Sequence, residues 1–84
     1  MRLILIYDTK DLEESIKDLC KKYNTHLDSF KDKTAKAFKI KGHYGTKLVP
    51  FAVFLNDKIE IPFYSDNNDF SYEHIEEILN RYAK

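Results

Sequence analysis

The side chains best suited to chemistry are a lone cysteine, Cys20, the histidines His26, His43 and His74, and a crowd of carboxylates at Asp8, Asp11, Glu13 and Glu14. Dithiol exchange needs a nucleophilic thiolate with a resolving thiol close by. A single cysteine provides no such partner, and it rules out an internal disulfide, a Cys-x-x-Cys pair and a zinc ribbon. The histidines are far apart and share no ligand spacing with paired carboxylates, so no metal site is expected. No Ser/His/Asp arrangement and no glycine-rich phosphate loop can be argued, and no cofactor is expected. Cys20 itself shares a helical stripe with Ile16, Leu19 and Tyr23, which is the setting of a buried structural thiol. Catalysis would instead require exposure and an electropositive setting. Lys21 and Lys22 are its neighbours in sequence, but consecutive residues point around a helix.

Charge is the next candidate. Fourteen basic and fourteen acidic residues cancel, so the net field gives no expectation of nucleic acid binding. The distribution is uneven. Lys31, Lys33, Lys36, Lys39, Lys41 and Lys47 stand against Asp32 alone, whereas residues 57 to 77 hold seven acids and only Lys58. A solvated helix face is the usual reading of such a lysine run; its alternative is a face that meets an acidic partner. The carboxylates at 8 to 14 read first as helix capping, and otherwise as a receiver for a basic partner.

The elements that must position these groups follow from periodicity. Eighty-four residues make one domain, expected to span 1–84, and the 43% hydrophobic content includes six Phe and six Tyr to fill its core. Leu3 to Tyr7 is an apolar run of strand length, of the kind covered on both faces in mid-sheet. It is too short for a signal-peptide core or a membrane span, so a cytoplasmic protein is expected. Leu12, Ile16, Leu19, Cys20 and Tyr23 make one stripe of a first helix, capped by Asp11 with Glu14, or by Thr9, and ended at Asn24. Thr25 to Phe30 fits a short polar edge strand. Lys31 to Lys41 is ambiguous: Phe38 and Ile40 alternate, while Thr34, Ala37, Phe38 and Lys41 fit a helical face; context favours a short helix from Asp32 to Lys41.

Phe51 to Leu55 reads as a central strand, and Asn56-Asp57 as a hairpin turn. In Lys58 to Tyr64, Ile59, Ile61 and Phe63 alternate with polar positions, and Pro62 assigns the strand to an edge. Ser71 caps a last helix with the stripe Tyr72, Ile75, Ile78, Leu79 and Tyr82, and Phe70 and Ile75 have staple spacing. The order is β-α-β-α-β-β-α. With the two wholly apolar strands central and the compromised ones at the edges, it gives a four-stranded mixed α/β sheet of order 2-1-3-4 with helices on both faces.

This order resembles the thioredoxin fold in its compact, glutaredoxin-like form. The local resemblance lies in Tyr44-Gly45-Thr46-Lys47-Leu48-Val49-Pro50, similar to the family's Tyr-Gly segment that ends in a cis-proline, and it continues through Phe51-Ala52-Val53-Phe54-Leu55, the Asn56-Asp57-Lys58 turn and the last helix. It covers about half of the chain well, and the first half by order of elements alone. Two departures limit it. The junction where the family carries Cys-x-x-Cys or Cys-x-x-Ser is Tyr7-Asp8-Thr9-Lys10-Asp11-Leu12, and the threonine that usually follows the cis-proline is Phe51.

The resemblance implies that the residue before the proline offers its backbone N–H and C=O to an extended peptide, a strand-addition mode that needs no thiol. The expected function is thus a redox-inactive thioredoxin-fold binding or adaptor protein. Its surface is Tyr7, Asp8, Thr9 and Lys10 with Lys47, Leu48, Val49 and Pro50, and its partner is another protein or an extended peptide. The alternatives are a thiol oxidoreductase acting through Cys20, and a homodimer formed through a sheet edge or the aromatic surface around Phe63, Tyr64 and Phe70. Abundant Lys, Ile, Asn and Tyr with scarce Ala and Gly point to an AT-rich genome, such as that of a phage or a low-GC bacterium.

Overall fold

Apolar residues on both sides of a strand require cover on both sides, and β1 (Arg2–Tyr7) has it. Leu3, Leu5 and Tyr7 enter one core and Ile4 and Ile6 the other, following the two-residue period of a strand. The computed structural model describes residues 1–83. β1 is followed by α1 (Lys10–Lys22), β2 (His26–Lys31), α2 (Ala35–His43), β3 (Phe51–Leu55), β4 (Glu60–Phe63) and α3 (Tyr72–Tyr82), with a short 3-10 turn at Ser65–Asn67. The four-stranded sheet has the order β2-β1-β3-β4. β1 and β2 are parallel, while β3 runs antiparallel to both β1 and β4.

The larger core lies under α1 and α3. Ile16, Leu19 and Cys20 of α1 meet Leu3 and Leu5, then Ala52 and Phe54 of β3, Phe63 of β4, and Ile75, Ile78 and Leu79 of α3. The smaller core lies under α2, where Ala37 covers Ile6, Phe51 and Val53. Phe51, Phe54 and Phe63 are fully buried, each worth roughly 1.5–3 kcal/mol over an exposed position.

Several local expectations are corrected. Thr9, not Asp11, caps α1: its hydroxyl accepts from Leu12 N–H at 3.4 Å, so the helix starts at Lys10. α2 begins at Ala35 because Thr34 caps it, accepting from Ala37 N–H at 3.2 Å, and it runs on to His43. Asp32 and Lys33 instead form the turn, with Lys33 at a φ of 72°. On α2, Ala37 and Lys41 turn inward as expected, but Phe38 stays out and Ile40 packs on the core. β4 is shorter than expected, since Asn56 accepts from the N–H groups of Lys58 and Ile59 and holds those residues in the turn. Tyr72 stands outside the apolar stripe of α3, 43% exposed.

Phe63 pairs with Ala52 and its ring meets His74 edge-on at 5.2 Å, while Phe70 packs against the same core. Of the aromatic residues expected to form a dimer surface, Phe63 is thus buried, while Tyr64 and Phe70 are half-buried.

Candidate functional site

The ladder between β1 and β3 ends at the pair Ile6 and Phe51. Tyr7 to Lys10 and Lys47 to Pro50 therefore leave the sheet at the same end, one segment rising into α1 and the other descending from α2. Asp8, Thr9, Lys10, Lys47 and Leu48 are exposed, and Val49 and Pro50 are half-buried. Tyr7 differs: its ring joins the larger core and its carbonyl accepts from Asp32 N–H at 2.8 Å, so it lies beneath the surface rather than on it.

The Lys47–Pro50 segment is held at both flanks. On the helix side, Gly45 adopts a φ of 71°, which favours glycine, and turns the chain out of α2. Buried Thr46 donates its N–H to the Lys41 carbonyl at 3.0 Å and accepts from Leu48 N–H at 3.2 Å. On the strand side, Ser65 donates its hydroxyl to the Pro50 carbonyl. Tyr64 donates to the Tyr44 carbonyl at 2.9 Å, and Tyr44 donates to Glu60 at 2.9 Å. The Phe51 ring sits between those of Tyr44 and Tyr64, at 5.4 and 5.3 Å. Burial, with the Glu60 carboxylate second, pushes the Tyr44 phenol up to about 12.

The Val49–Pro50 peptide is cis. Among the described residues, no backbone group bonds the N–H or C=O of Val49, and no side chain does so either. A donor and an acceptor on one residue, set beside the exposed Leu48 side chain, are what an added extended strand requires.

The other sequence candidates lie elsewhere. Cys20 is 2% exposed in the larger core, and burial pushes its thiol up to about 11. That is the opposite of the depressed pKa that activates a thiolate. His26 bonds Asp28 at 3.0 Å and His74 bonds the Asp69 carbonyl at 2.8 Å, on separate elements. Among the described residues, no group of His, Cys, Asp and Glu could hold a metal ion. Of the helix-1 carboxylates, Glu13 accepts from Ser29 at 2.6 Å and faces Lys10 at 3.7 Å.

Lys41 breaks the expected solvated lysine face. Its side chain is 7% exposed and its ammonium bonds Asp32 at 2.7 Å. That bond, as the largest effect, lowers the Asp32 carboxyl below its ordinary range. Sequence reasoning missed this pair and the Tyr44, Tyr64 and Ser65 pins. The lone acid within a lysine run was the available sign of the first. The pins depend on tertiary contacts that no local pattern announces.

No family model matches the sequence, and no curated protein matches it. Among solved structures, the chain is similar to thioredoxin 1 from the thermophilic eubacterium Thermosipho africanus TCF52B, with a TM-score of 0.75 at 16% identity. The similarity covers 98% of this chain and 93% of that one. The fold is thioredoxin-like, with the strand order and two-sided helical cover described above. Among the described residues, no helix is long and apolar enough to cross a membrane.

Proposed function

We propose that this chain is a redox-inactive binding or adaptor module that captures an extended protein segment at Lys47 to Pro50, flanked by the exposed Asp8, Thr9 and Lys10. The observation that carries this reading is the unpartnered N–H and C=O of Val49, held in a loop pinned at both ends and next to a half-exposed Leu48. A segment adding there gains backbone hydrogen bonds from Val49 and apolar contact from Leu48. Electron transfer has no support from the single thiol. The first turn beside the loop contains no cysteine, and Cys20 is buried.

A pulldown from the native host with wild-type and Leu48→Asp baits tests the binding half. A partner enriched on the wild type and lost on the variant is the expected result, and equal recovery on both moves the site elsewhere. Leu48 suits this test better than Val49, because Val49 packs on the smaller core and its replacement would disturb the fold. The redox half is tested by insulin reduction: turnover above a bovine serum albumin control would overturn the reading.

A further inference from the structure

The loop continues into a groove of about 330 Å3 lined by Phe38, Lys41, Gly42, Thr46 and Lys47. Phe38, 59% exposed, and Leu48, 50% exposed, are the large apolar side chains left in water on this side of the fold. The Lys41 ammonium, bonded to Asp32, lies 5.2 Å from the centroid of the Phe38 ring. Asp32 is the only acid between residues 31 and 47, and its charge is committed to Lys41. Lys33, Lys36, Lys39 and Lys47 are exposed and make no ion pair with a described residue. The groove therefore joins an apolar seat to lysines that no other acid of residues 31 to 47 neutralises, with Asp8 the one carboxylate on the flanking segment of the binding surface.

We propose that the segment captured at Lys47 to Pro50 is acidic, seats one large apolar side chain in the Phe38 groove, and sets its carboxylates against Lys39 and Lys47. This inference rests on the binding reading above and adds the chemistry of the partner. Charge complementarity selects the acidic segment and speeds its encounter. A single-stranded nucleic acid fits less well, because such sites offer a succession of aromatic platforms and this face exposes only Phe38. A second copy, offering the acids of residues 57 to 77, would make a head-to-tail contact that propagates or closes into a ring.

The test selects a random peptide display library on the full chain. The enriched peptides are then titrated by fluorescence anisotropy against wild type, Phe38→Ser, Leu48→Asp and the pair Lys39→Glu/Lys47→Glu, with circular dichroism confirming that each variant is folded. Acidic peptides with a large apolar residue should emerge and weaken as salt is raised. They should lose affinity by about threefold or more with Phe38→Ser and with the charge reversal. Neutral or basic peptides that depend on Leu48 but ignore the lysines would overturn this inference and leave the binding reading standing. No enrichment, or enrichment indifferent to Leu48, would overturn both. Concentration-dependent self-association, or binding of a labelled oligonucleotide, that saturates the groove and blocks the peptides would replace the acidic segment as its occupant.

Discussion

Cys20 should react as a core residue, at a rate set by its burial. Its thiol is pushed from 9.0 up to about 11 by desolvation. At pH 8 the thiolate fraction therefore falls from about one in ten to roughly one in a thousand, slowing any thiolate reaction by about 100-fold. The side chain is also only 2% exposed, between α1 and the sheet. The other route is an opening of α1, which restores the ordinary pKa and slows the reaction by ~30-fold for an opening that costs about 2 kcal/mol. The assay is absorbance-monitored labelling with an aromatic disulfide reagent at pH 8, with the chain in guanidinium chloride as the reference. The same burial has a thermodynamic consequence. The folded pKa lies above the unfolded one, so its contribution is full below pH 9.0 and is lost as pH rises towards about 11. That loss amounts to about 2–3 kcal/mol, and Cys20→Ala should remove it from the alkaline limb of a denaturation series. Native labelling at the rate of the unfolded chain would refute the reasoning.

The Asp32–Lys41 pair and the bridge between α1 and α3 give two further tests. Asp32→Ala leaves the buried Lys41 ammonium without its partner and should cost about 2 kcal/mol, whereas Lys41→Met should cost less than Asp32→Ala or stabilise; urea denaturation of both variants measures the difference. Glu76 accepts from Lys22 and from the Tyr23 hydroxyl, both at 2.9 Å, and these bonds, Lys22 first, hold its carboxyl below the ordinary range. Its stabilisation is therefore present above pH 4.5 and lost as pH falls through the lowered folded value. Melting curves from pH 7 to pH 3 should fall less steeply for Glu76→Gln than for wild type.

Much of the fold was legible because polarity marks position in a sheet. Leu3 to Ile6 and Phe51 to Phe54 carry apolar groups on both faces, and only central strands can bury both. Pro62 and the polar residues of β2 marked the edges for the same reason. α2 was less legible. Nine residues give too few turns for a clear stripe, and a buried lysine contributes an inward position that reads as an outward one. Lys41 is tolerable inside only because Asp32 reaches it across the preceding turn, a pairing that spacing along the helix does not display. The two segments of the candidate site were both visible in the sequence. Their meeting follows from the β1–β3 register, and the burial of Tyr7 from the alternation along β1.

Backbone amide chemical shifts of the labelled chain, recorded as a captured partner or selected peptide is added, test the central claim most directly. The account predicts that the largest shift falls on the Val49 N–H, with smaller ones at Lys47, Leu48 and Asp8 to Lys10, and none of that size on α3. Saturable binding that leaves Val49 unmoved, or that shifts chiefly α3 or the β4 edge, would contradict it.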